Sequence, residues 1–234
     1  MGSGGFDAVL DHLTTEILEG RIGPGSRLPN ERELAAHLEV SRSAVREAIK
    51  VFQAQGVITS HTGPGRGTRV TGSQGDALGR ILKLHVALDV ISFDEVTETR
   101  VVLERAAAMG AAEHRRDEGL AEVRALAEEM VSATEISDFN ALDTRFHVAI
   151  ASLAANRLIR DLTIAIREAV ALHILAAERE MDGWPELRTR LIAEHDGIVE
   201  ALTLGDGALA ADRCEAHIRG AHRAFLETPS ARGG

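Results

Sequence analysis

The stretch that decides the fold runs from residue 28 to residue 58 and reads LPNERELAAHLEVSRSAVREAIKVFQAQGVI. Asn30 followed three residues later by Glu33 is typical of a capping box, which predicts a helix over ERELAAHL. The residues EV form a short turn, and Ser41 is a good N-cap for a second helix that ends at Gly56. Two short helices joined by a tight turn predict a helix-turn-helix.

The residues on either side of this stretch complete a small domain. Upstream, FDAVLDHLTTEILEGRI at residues 6–22 has apolar residues at helical spacing, which predicts a further helix. Downstream, VITS and TRV flank a tip rich in glycine and proline at residues 63–67, which predicts a two-stranded hairpin. We therefore expect residues 1–71 to form a winged helix-turn-helix of three helices and a two-stranded wing.

The second helix of this motif would read DNA. A recognition helix places its first residues on base edges, and its backbone amides can meet a phosphate. Arg42 and Arg46 lie one turn apart and could enter the same groove, while glycines in the wing allow a close approach to the sugar-phosphate backbone. The expected DNA contacts are Arg32, Ser41, Arg42, Ser43, Arg46, Gly65 and Gly67.

Charge is unevenly distributed along the chain. The net charge of −10 argues against nucleic acid, but residues 41–71 hold five basic residues against Glu47 alone, a local balance of 5 − 1 = +4. An acidic body with one basic patch is compatible with DNA binding, because phosphates respond to the local field. A winged helix used for protein contacts, or arginines that only solvate a helix face, is the alternative interpretation.

The rest of the chain indicates a helical bundle. After a small, polar linker at residues 72–76, residues 77–230 have long amphipathic patterns and almost no strand signal. Breakers such as Gly119, the GWP at residues 183–185 and the GDG at residues 205–207 separate several of them. The predicted helices cover residues 76–89, 93–116, 118–134, 136–154, 157–180, 185–204 and 207–227. The fold class is thus mostly α, with an all-helical C-terminal domain of about six or seven helices.

Polar residues interrupt the apolar stripes of this bundle. In ALDTRFHVAI, residues 141–150, Asp143 and His147 lie one turn apart on the inward face, where an unpaired carboxylate would be costly. His195 and His217 occupy the inward stripes of two later helices. Three histidines and a carboxylate suit a divalent metal. Alternatively, each histidine is a hydrogen-bonded core residue, and Asp143 caps a neighbouring helix or pairs with Arg100.

Several features exclude other classes of protein. Cys214 is the only cysteine, so no intramolecular disulfide can form and a reducing cytoplasm is expected. The first residues have no basic segment followed by an apolar one, so no secretory signal is predicted. No run approaches the ~18 apolar residues that a membrane span needs. We expect a soluble, cytoplasmic protein with no membrane partner.

The motif over residues 28–58, together with GRGTRV at residues 65–70, strongly resembles the DNA-binding domain of the GntR family of bacterial transcription regulators. The resemblance covers about 65 residues and implies Arg32, Arg42, Arg46 and the wing glycines as contacts to double-stranded operator DNA. Because one recognition helix rarely supplies sufficient specificity, we expect a homodimer. One departure is Glu39, which stands where the family commonly has glycine in the turn. We expect an unfavourable backbone conformation there, at a modest local cost.

The helical domain resembles the FCD effector domain of the FadR-type branch, in which many members carry D-x-x-x-H on one helix and two later histidines as metal ligands. The resemblance implies Asp143, His147, His195 and His217 as ligands of a divalent metal, with zinc expected first and nickel, manganese or iron as alternatives. It also implies a small carboxylate or sugar acid that completes the coordination shell. Arg100 matches the position of an arginine near the cavity of the family, and we expect it to bind this acid.

The expected function is a DNA-binding transcription regulator, expected to be a repressor, controlled by the acid and its metal. One alternative is a metal sensor without an organic effector. A metal-dependent hydrolase fused to a DNA-binding domain is another, because a centre of three histidines and an aspartate with open positions can activate water. We find no inward glutamate or other general base near the ligands in the sequence, and therefore expect no enzymatic activity.

Overall fold

The computed structural model describes residues 4–61, 67–71, 75–88, 90–114 and 117–226, with the backbone alone for residues 61, 75 and 76. The chain divides into two compact units, residues 1–78 and residues 79–234. Each unit has its own hydrophobic core.

The N-terminal unit is built from three helices and one hairpin. They are α1 (Gly4–Leu18), α2 (Glu31–His37), α3 (Arg42–Ala54), β1 (Ile58–His61) and β2 (Gly67–Val70). The two strands pair antiparallel, with Ile58 opposite Val70. Both predicted caps form: Asn30 and Glu33 make a reciprocal capping box at α2, and the Ser41 hydroxyl accepts from the amide of Ala44 at α3. The winged helix-turn-helix expected from the sequence is confirmed.

The turn between α2 and α3 depends on an unusual backbone conformation. Glu39 has φ of 54°, and it is the only non-glycine residue with positive φ in the described parts of the chain. The amide of Val40 donates to the carbonyl of Ala35, which is the hydrogen bond of a Schellman C-cap. This motif needs a left-handed residue after the helix, and that position is usually glycine. The strain expected at Glu39 is therefore present.

The C-terminal unit is a bundle in which α5 lies at the centre. The helices from here to the end of the described chain are α4 (Gly75–Ala87), α5 (Phe93–Glu113), α6 (Asp117–Ser132), α7 (Ile136–Leu153), α8 (Arg157–Glu180), α9 (Trp184–Leu204) and α10 (Gly207–Leu226). Helix α5 packs against α7, α8, α9 and α10. The inward face of α5 therefore lies next to four other helices, and its Glu104 contacts polar side chains of α7 and α8.

The seven helices begin and end within three residues of the predicted bounds, and the mostly α fold class is confirmed. The predicted domain bounds, with the DNA-binding domain ending at residue 71 and the helical domain starting at residue 77, stay a prediction. Residues 72–74 of the expected linker lie outside the described residues. Among the described residues, no helix has the length and apolar character that a membrane crossing requires.

Candidate DNA-reading and effector sites

The predicted base-reading residues lie at the start of α3, where all of them are exposed. Ser41 is the N-cap of the helix, and its hydroxyl lies 2.9 Å from that of Ser43. Neither Arg32 nor Arg42 makes a hydrogen bond or an ion pair within the described residues, so both guanidinium groups are available to a ligand. The start of α3 therefore presents polar donors and the positive charge of Arg42 to solvent, and Arg32 adds a second exposed positive charge on α2.

Arg46 differs, because it is already paired. Its Nη2 donates to Glu31 Oε2 at 2.8 Å, and its Nε lies 3.2 Å from both carboxylate oxygens. The hydrogen bond with Arg46 lowers the pKa of Glu31 below its usual value and raises the pKa of Arg46. The sequence reasoning missed Glu31, since the pair joins the first turn of α2 to α3 across 15 residues of chain.

Of the two wing glycines predicted to contact DNA, only Gly67 lies within the described residues. Gly67 has φ of 131°, and a Cβ added there would lie 3.3 Å from the Arg27 guanidinium. Glycine therefore allows the base of the wing to close over Arg27. Gly65 lies outside the described residues.

In the C-terminal unit, the four predicted ligands meet in one buried cluster. Asp143 and His147 come from α7, His195 from α9 and His217 from α10. One ligand atom from each residue lies within 4.8 Å of all the others, and all four residues are buried. His147 Nε2 and His217 Nε2 are 3.3 Å apart, and Asp143 Oδ1 lies 3.1 Å from His195 Nε2.

Two carboxylates orient two of the three histidines of this cluster. His147 Nδ1 lies 2.7 Å from Glu104 Oε2, and His217 Nδ1 lies 2.9 Å from Glu194 Oε2. A carboxylate beside Nδ1 holds the proton on that nitrogen, which leaves the lone pair of Nε2 directed at the cluster. Burial and the charge of Arg167 lower the pKa of His147 to about 3, so this imidazole is neutral. A neutral, oriented imidazole is the form that binds a metal.

His195 has no such partner. Both of its ring nitrogens are buried without a hydrogen bond within the described residues, since its contact with Asp143 lacks hydrogen-bond geometry. Buried polar groups are normally satisfied, and an orphaned one calls for an explanation such as a missing ion. Metal–ligand bonds of about 2.1 Å place ligand atoms roughly 3–4 Å apart. Four pairs of ligand atoms in this cluster lie 3.1–3.7 Å apart. The donor set therefore fits a divalent transition metal.

A buried arginine missing from the predicted set joins the cluster to α5. Arg167 of α8 donates through Nε and Nη2 to the two oxygens of Glu104 at 2.7 and 2.6 Å, and through Nη1 to Asp143 at 3.1 Å. Burial raises the pKa of Asp143 and of Glu104, but the positive charge of Arg167 and the contacts with the neighbouring histidines together outweigh it, and both pKa values lie well below the usual range. Both carboxylates are therefore ionised.

This network overturns one expectation from the sequence. Glu104 is 3% exposed and lies beside His147, so an inward glutamate does stand near the predicted ligands. It was missed because α5 has a weak apolar pattern, in which Glu104 resembles a solvated residue. Arg167 left a clearer signal, because Thr163, Ile166, Val170 and Ile174 place it in the middle of the inward stripe of α8.

Arg100 points inward as predicted. It is 6% exposed, and its Nε donates to Glu104 Oε1 at 3.2 Å, while neither of its Nη groups makes a hydrogen bond within the described residues. Burial and the neighbouring charge of Arg167 lower the pKa of Arg100 to about 10, so it remains a cation at neutral pH. The ion pair between Arg100 and Glu104 is therefore observed, and it uses only the Nε edge of the guanidinium.

The cluster borders a small pocket lined by residues of α5, α7, α8, α9 and α10. Polar residues on its wall are Arg100, Asp143, Arg167, Glu178, His217 and His222. Its apolar wall includes Phe93, Ile174, Leu191, Ile218 and Phe225. Two cluster residues, Asp143 and His217, therefore line the same small pocket as the guanidinium of Arg100.

Two family models match this chain. The model of bacterial regulatory proteins of the gntR family covers residues 6–70, and the FCD domain model covers residues 95–220. The chain belongs to the GntR family, in the FadR-type branch. It is therefore a transcription regulator of the GntR and FCD type, as the sequence motif predicted.

This regulator is similar along most of its length to curated proteins. It is 28% identical to the HTH-type transcriptional regulator LutR of Bacillus subtilis, over 86% of this chain and 92% of that protein. It is 27% identical to the galactonate operon transcriptional repressor of Escherichia coli, over 87% of this chain and 89% of that protein. A solved structure of Streptococcus agalactiae GntR shares the fold, with 24% identity, a TM-score of 0.63, and coverage of 94% of this chain and 99% of that one.

Proposed function

We propose that this regulator is a repressor whose operator binding is controlled by a small organic acid bound beside a divalent metal. The observation that carries the proposal is that two members of the four-ligand cluster, Asp143 and His217, line the same pocket as an arginine with unused donors, Arg100. The named function of one relative, repression of a galactonate operon, supports the choice of an organic acid.

Asp143, His147, His195 and His217 would hold the metal. Zinc is our first choice because three imidazoles and one carboxylate are its common ligands, and nickel, manganese or iron would accept the same set. The metal would supply a Lewis acid for an oxygen of the effector. Glu104 and Glu194 keep two of the imidazoles oriented, while Arg167 fixes Asp143.

Arg100 would bind the carboxylate of the acid. A guanidinium presents paired donors that match the two oxygens of a carboxylate. The Nη groups of Arg100 make no hydrogen bond within the described residues, whereas each of the three guanidinium nitrogens of Arg167 already donates one. The buried charges of Arg100 and Arg167 balance those of Glu104 and Asp143, so a divalent metal would leave an excess of positive charge. An anionic effector would offset that excess.

The N-terminal unit would bind operator DNA. The residues that would contact it are Arg32, Ser41, Arg42, Ser43, Arg46, Gly65 and Gly67. One recognition helix rarely supplies enough specificity, so we propose a homodimer that reads a near-palindromic operator with one winged helix on each half-site. Light scattering at micromolar concentration should give twice the mass of the chain. A monomer that operator DNA leaves unchanged would contradict this part of the proposal.

The centre would bind rather than catalyse. A general base needs a free lone pair within reach of water, and both oxygens of Glu104 accept hydrogen bonds from Arg167, with His147 as a further partner. We therefore propose no enzymatic role for it. A metal sensor without an organic effector remains the second candidate, favoured by the ligand cluster itself.

Elemental analysis of the purified protein tests the metal. We expect about one divalent metal ion per chain. His195→Ala and His217→Ala should each lose most of it while keeping operator binding, because the DNA-reading helices belong to the other unit. His114→Ala, a histidine exposed at the end of α5, is the matched control. Full metal occupancy in both cluster variants would show that other residues bind it.

A thermal-shift screen of carboxylates and sugar acids, with and without EDTA, tests the effector. Binding to the folded state must raise Tm, and an acid held partly by the metal should lose that effect after EDTA treatment. Operator release caused by metal alone, with no further response to any acid, would favour the metal sensor. A normal response of metal-free protein to its acid would overturn the proposed arrangement.

A further inference from the structure

One buried carboxyl on the cavity wall has no role in the arrangement above. Glu178 is the last inward residue of α8, is 2% exposed, and lines the cavity with Arg100 and Asp143. Its only hydrogen bond within the described residues comes from Asn140 Nδ2 to Oε2 at 3.2 Å, and it makes no ion pair there. A carboxyl buried in this way, without a cation, is too costly to be explained as packing alone.

The position of Asn140 locates Glu178 relative to the cluster. Asn140 and Asp143 lie three residues apart on α7, so they are neighbours on one helix face, about 5–6 Å apart. Asn140 is 6% exposed and is directed at Glu178 rather than at solvent. The Asn140–Glu178 pair thus lies about one helical turn from the cluster, within the reach of a short carbon chain anchored there.

The pair offers both a hydrogen-bond donor and a hydrogen-bond acceptor. Burial, with the negative charge of Asp143 nearby, raises the pKa of Glu178 to about 8. The side-chain amide of Asn140 has a second N–H to donate, and the other carboxyl oxygen of Glu178 makes no hydrogen bond within the described residues, so the pair matches a hydroxyl group. A second carboxylate placed there would be buried beside an acid with no cation in contact.

We propose that Glu178 and Asn140 recognise a hydroxyl group of the effector and discriminate against a second carboxylate, so that the ligand class is hydroxylated monocarboxylates. This inference rests on the proposed function, because the carboxylate must first be anchored by Arg100 and the metal. Glu178 is then a specificity-determining residue. A ligand without the hydroxyl group would leave the buried polar groups of Glu178 and Asn140 without a hydrogen bond. Such a loss discriminates between ligands more strongly than a difference in apolar contact does.

Calorimetric titration of the zinc-loaded full chain with two matched sets of acids tests this. The three-carbon set is lactate, propionate and malonate. The six-carbon set is an aldonate series (gluconate, galactonate and mannonate), the corresponding aldarates, and hexanoate. In at least one set the hydroxylated monocarboxylate should bind at least tenfold more tightly than its deoxy and dicarboxylate counterparts.

Two variants separate hydrogen bonding from packing. Glu178→Gln keeps the shape with a neutral donor and acceptor and should retain the preference, whereas Glu178→Leu should reduce the advantage of hydroxylated over deoxy acid to less than threefold. Far-UV circular dichroism and operator binding should remain unchanged in both. An unchanged ratio in Glu178→Leu, or wild-type protein that prefers a dicarboxylate, would overturn the inference alone. Absence of binding by every acid would overturn the proposed function with it.

Discussion

The two units use arginine in opposite ways. In the N-terminal unit Arg46 makes one exposed pair with Glu31, and Arg42 makes none within the described residues. In the C-terminal unit Arg167 is 1% exposed and holds Glu104 and Asp143 at once. An exposed pair can exchange its partner for a phosphate at little cost, because water and salt already weaken it.

A buried network cannot exchange partners in that way. Removing one member leaves charges without solvent or a counter-ion, and the penalty for that exceeds the attraction that a surface pair provides. The difference shows which arginines can act in binding and which hold the site in shape. Arg100 lies between these extremes, being buried but bonded through one edge only.

The largest expected effect comes from breaking the buried network. Arg167→Met should lower the free energy of unfolding by about 3–5 kcal/mol, because it leaves Glu104 and Asp143 buried without their main counter-charge. For a unit of this size, that corresponds to a fall in Tm of roughly 10 °C. Differential scanning calorimetry of EDTA-treated protein measures it without compensation by bound metal.

Arg46→Met is the matched control, since the same substitution at the exposed pair should leave Tm unchanged. Arg167→Lys adds a second comparison, because it keeps the charge but cannot form the forked bonds to Glu104. Its Tm should fall between those of the wild type and Arg167→Met. Equal Tm values for Arg167→Met and Arg46→Met would show that burial does not distinguish the two arginines.

A second pair of substitutions should separate the two binding functions. Arg42→Ala should lower affinity for specific operator at least tenfold in a gel shift at fixed salt, since one bidentate contact with guanine is worth about 1–3 kcal/mol. It should leave the acid-induced rise in Tm unchanged. Wild-type affinity in this variant would contradict the assignment of α3 as the recognition helix.

Arg100→Ala should give the opposite pattern. The rise in Tm caused by the acid should be lost, while operator affinity without acid and metal content should stay at wild-type values. Loss of metal together with the acid response would mean that Arg100 supports the cluster through Glu104 rather than the effector.

Much of the fold was predictable because its signals are local. The Asn30 capping box and the glycines after α3 and α9 act within a few residues of chain, so they can be seen without the structure. The four cluster residues were predictable for a related reason. Each is a polar side chain inside an otherwise apolar stripe, and the cost of burying it implies a partner.

The partners themselves were not predictable. Glu104 and Arg167 meet across 63 residues of chain, and Arg46 meets Glu31 from a different helix. Such pairs depend on which helices pack together, which is a tertiary property. Glu178 was missed because it follows Ala177 near the end of a helix, where glutamate is usually solvated. Only the packing of α7 against α8 identifies it as a cavity residue.

Removing the negative charge of Glu31 from its exposed ion pair with Arg46 should have a smaller effect on operator affinity. Glu31→Gln should raise operator affinity two- to threefold, roughly, because it removes a negative charge near the phosphates and releases Arg46. Gel shifts at two salt concentrations measure it. Glu16→Gln, which alters another exposed ion pair of the same unit, should have no effect. A fall in affinity would instead show that Glu31 holds Arg46 in the orientation that DNA requires.

The smallest expected effect concerns the turn that leads into the recognition helix. Glu39→Gly should relieve a left-handed conformation that costs a residue with a Cβ atom about 1–2 kcal/mol. Glycine also loses about 0.5–1 kcal/mol through its greater freedom in the unfolded chain, so the net gain in stability should be about 0.5 kcal/mol. Hydrogen exchange of the α2 and α3 amides should slow accordingly. Glu39→Ala is the control: it removes the same charge but keeps the Cβ atom, so it should give no gain. Equal protection in the two variants would assign the effect to charge and remove backbone strain as its cause.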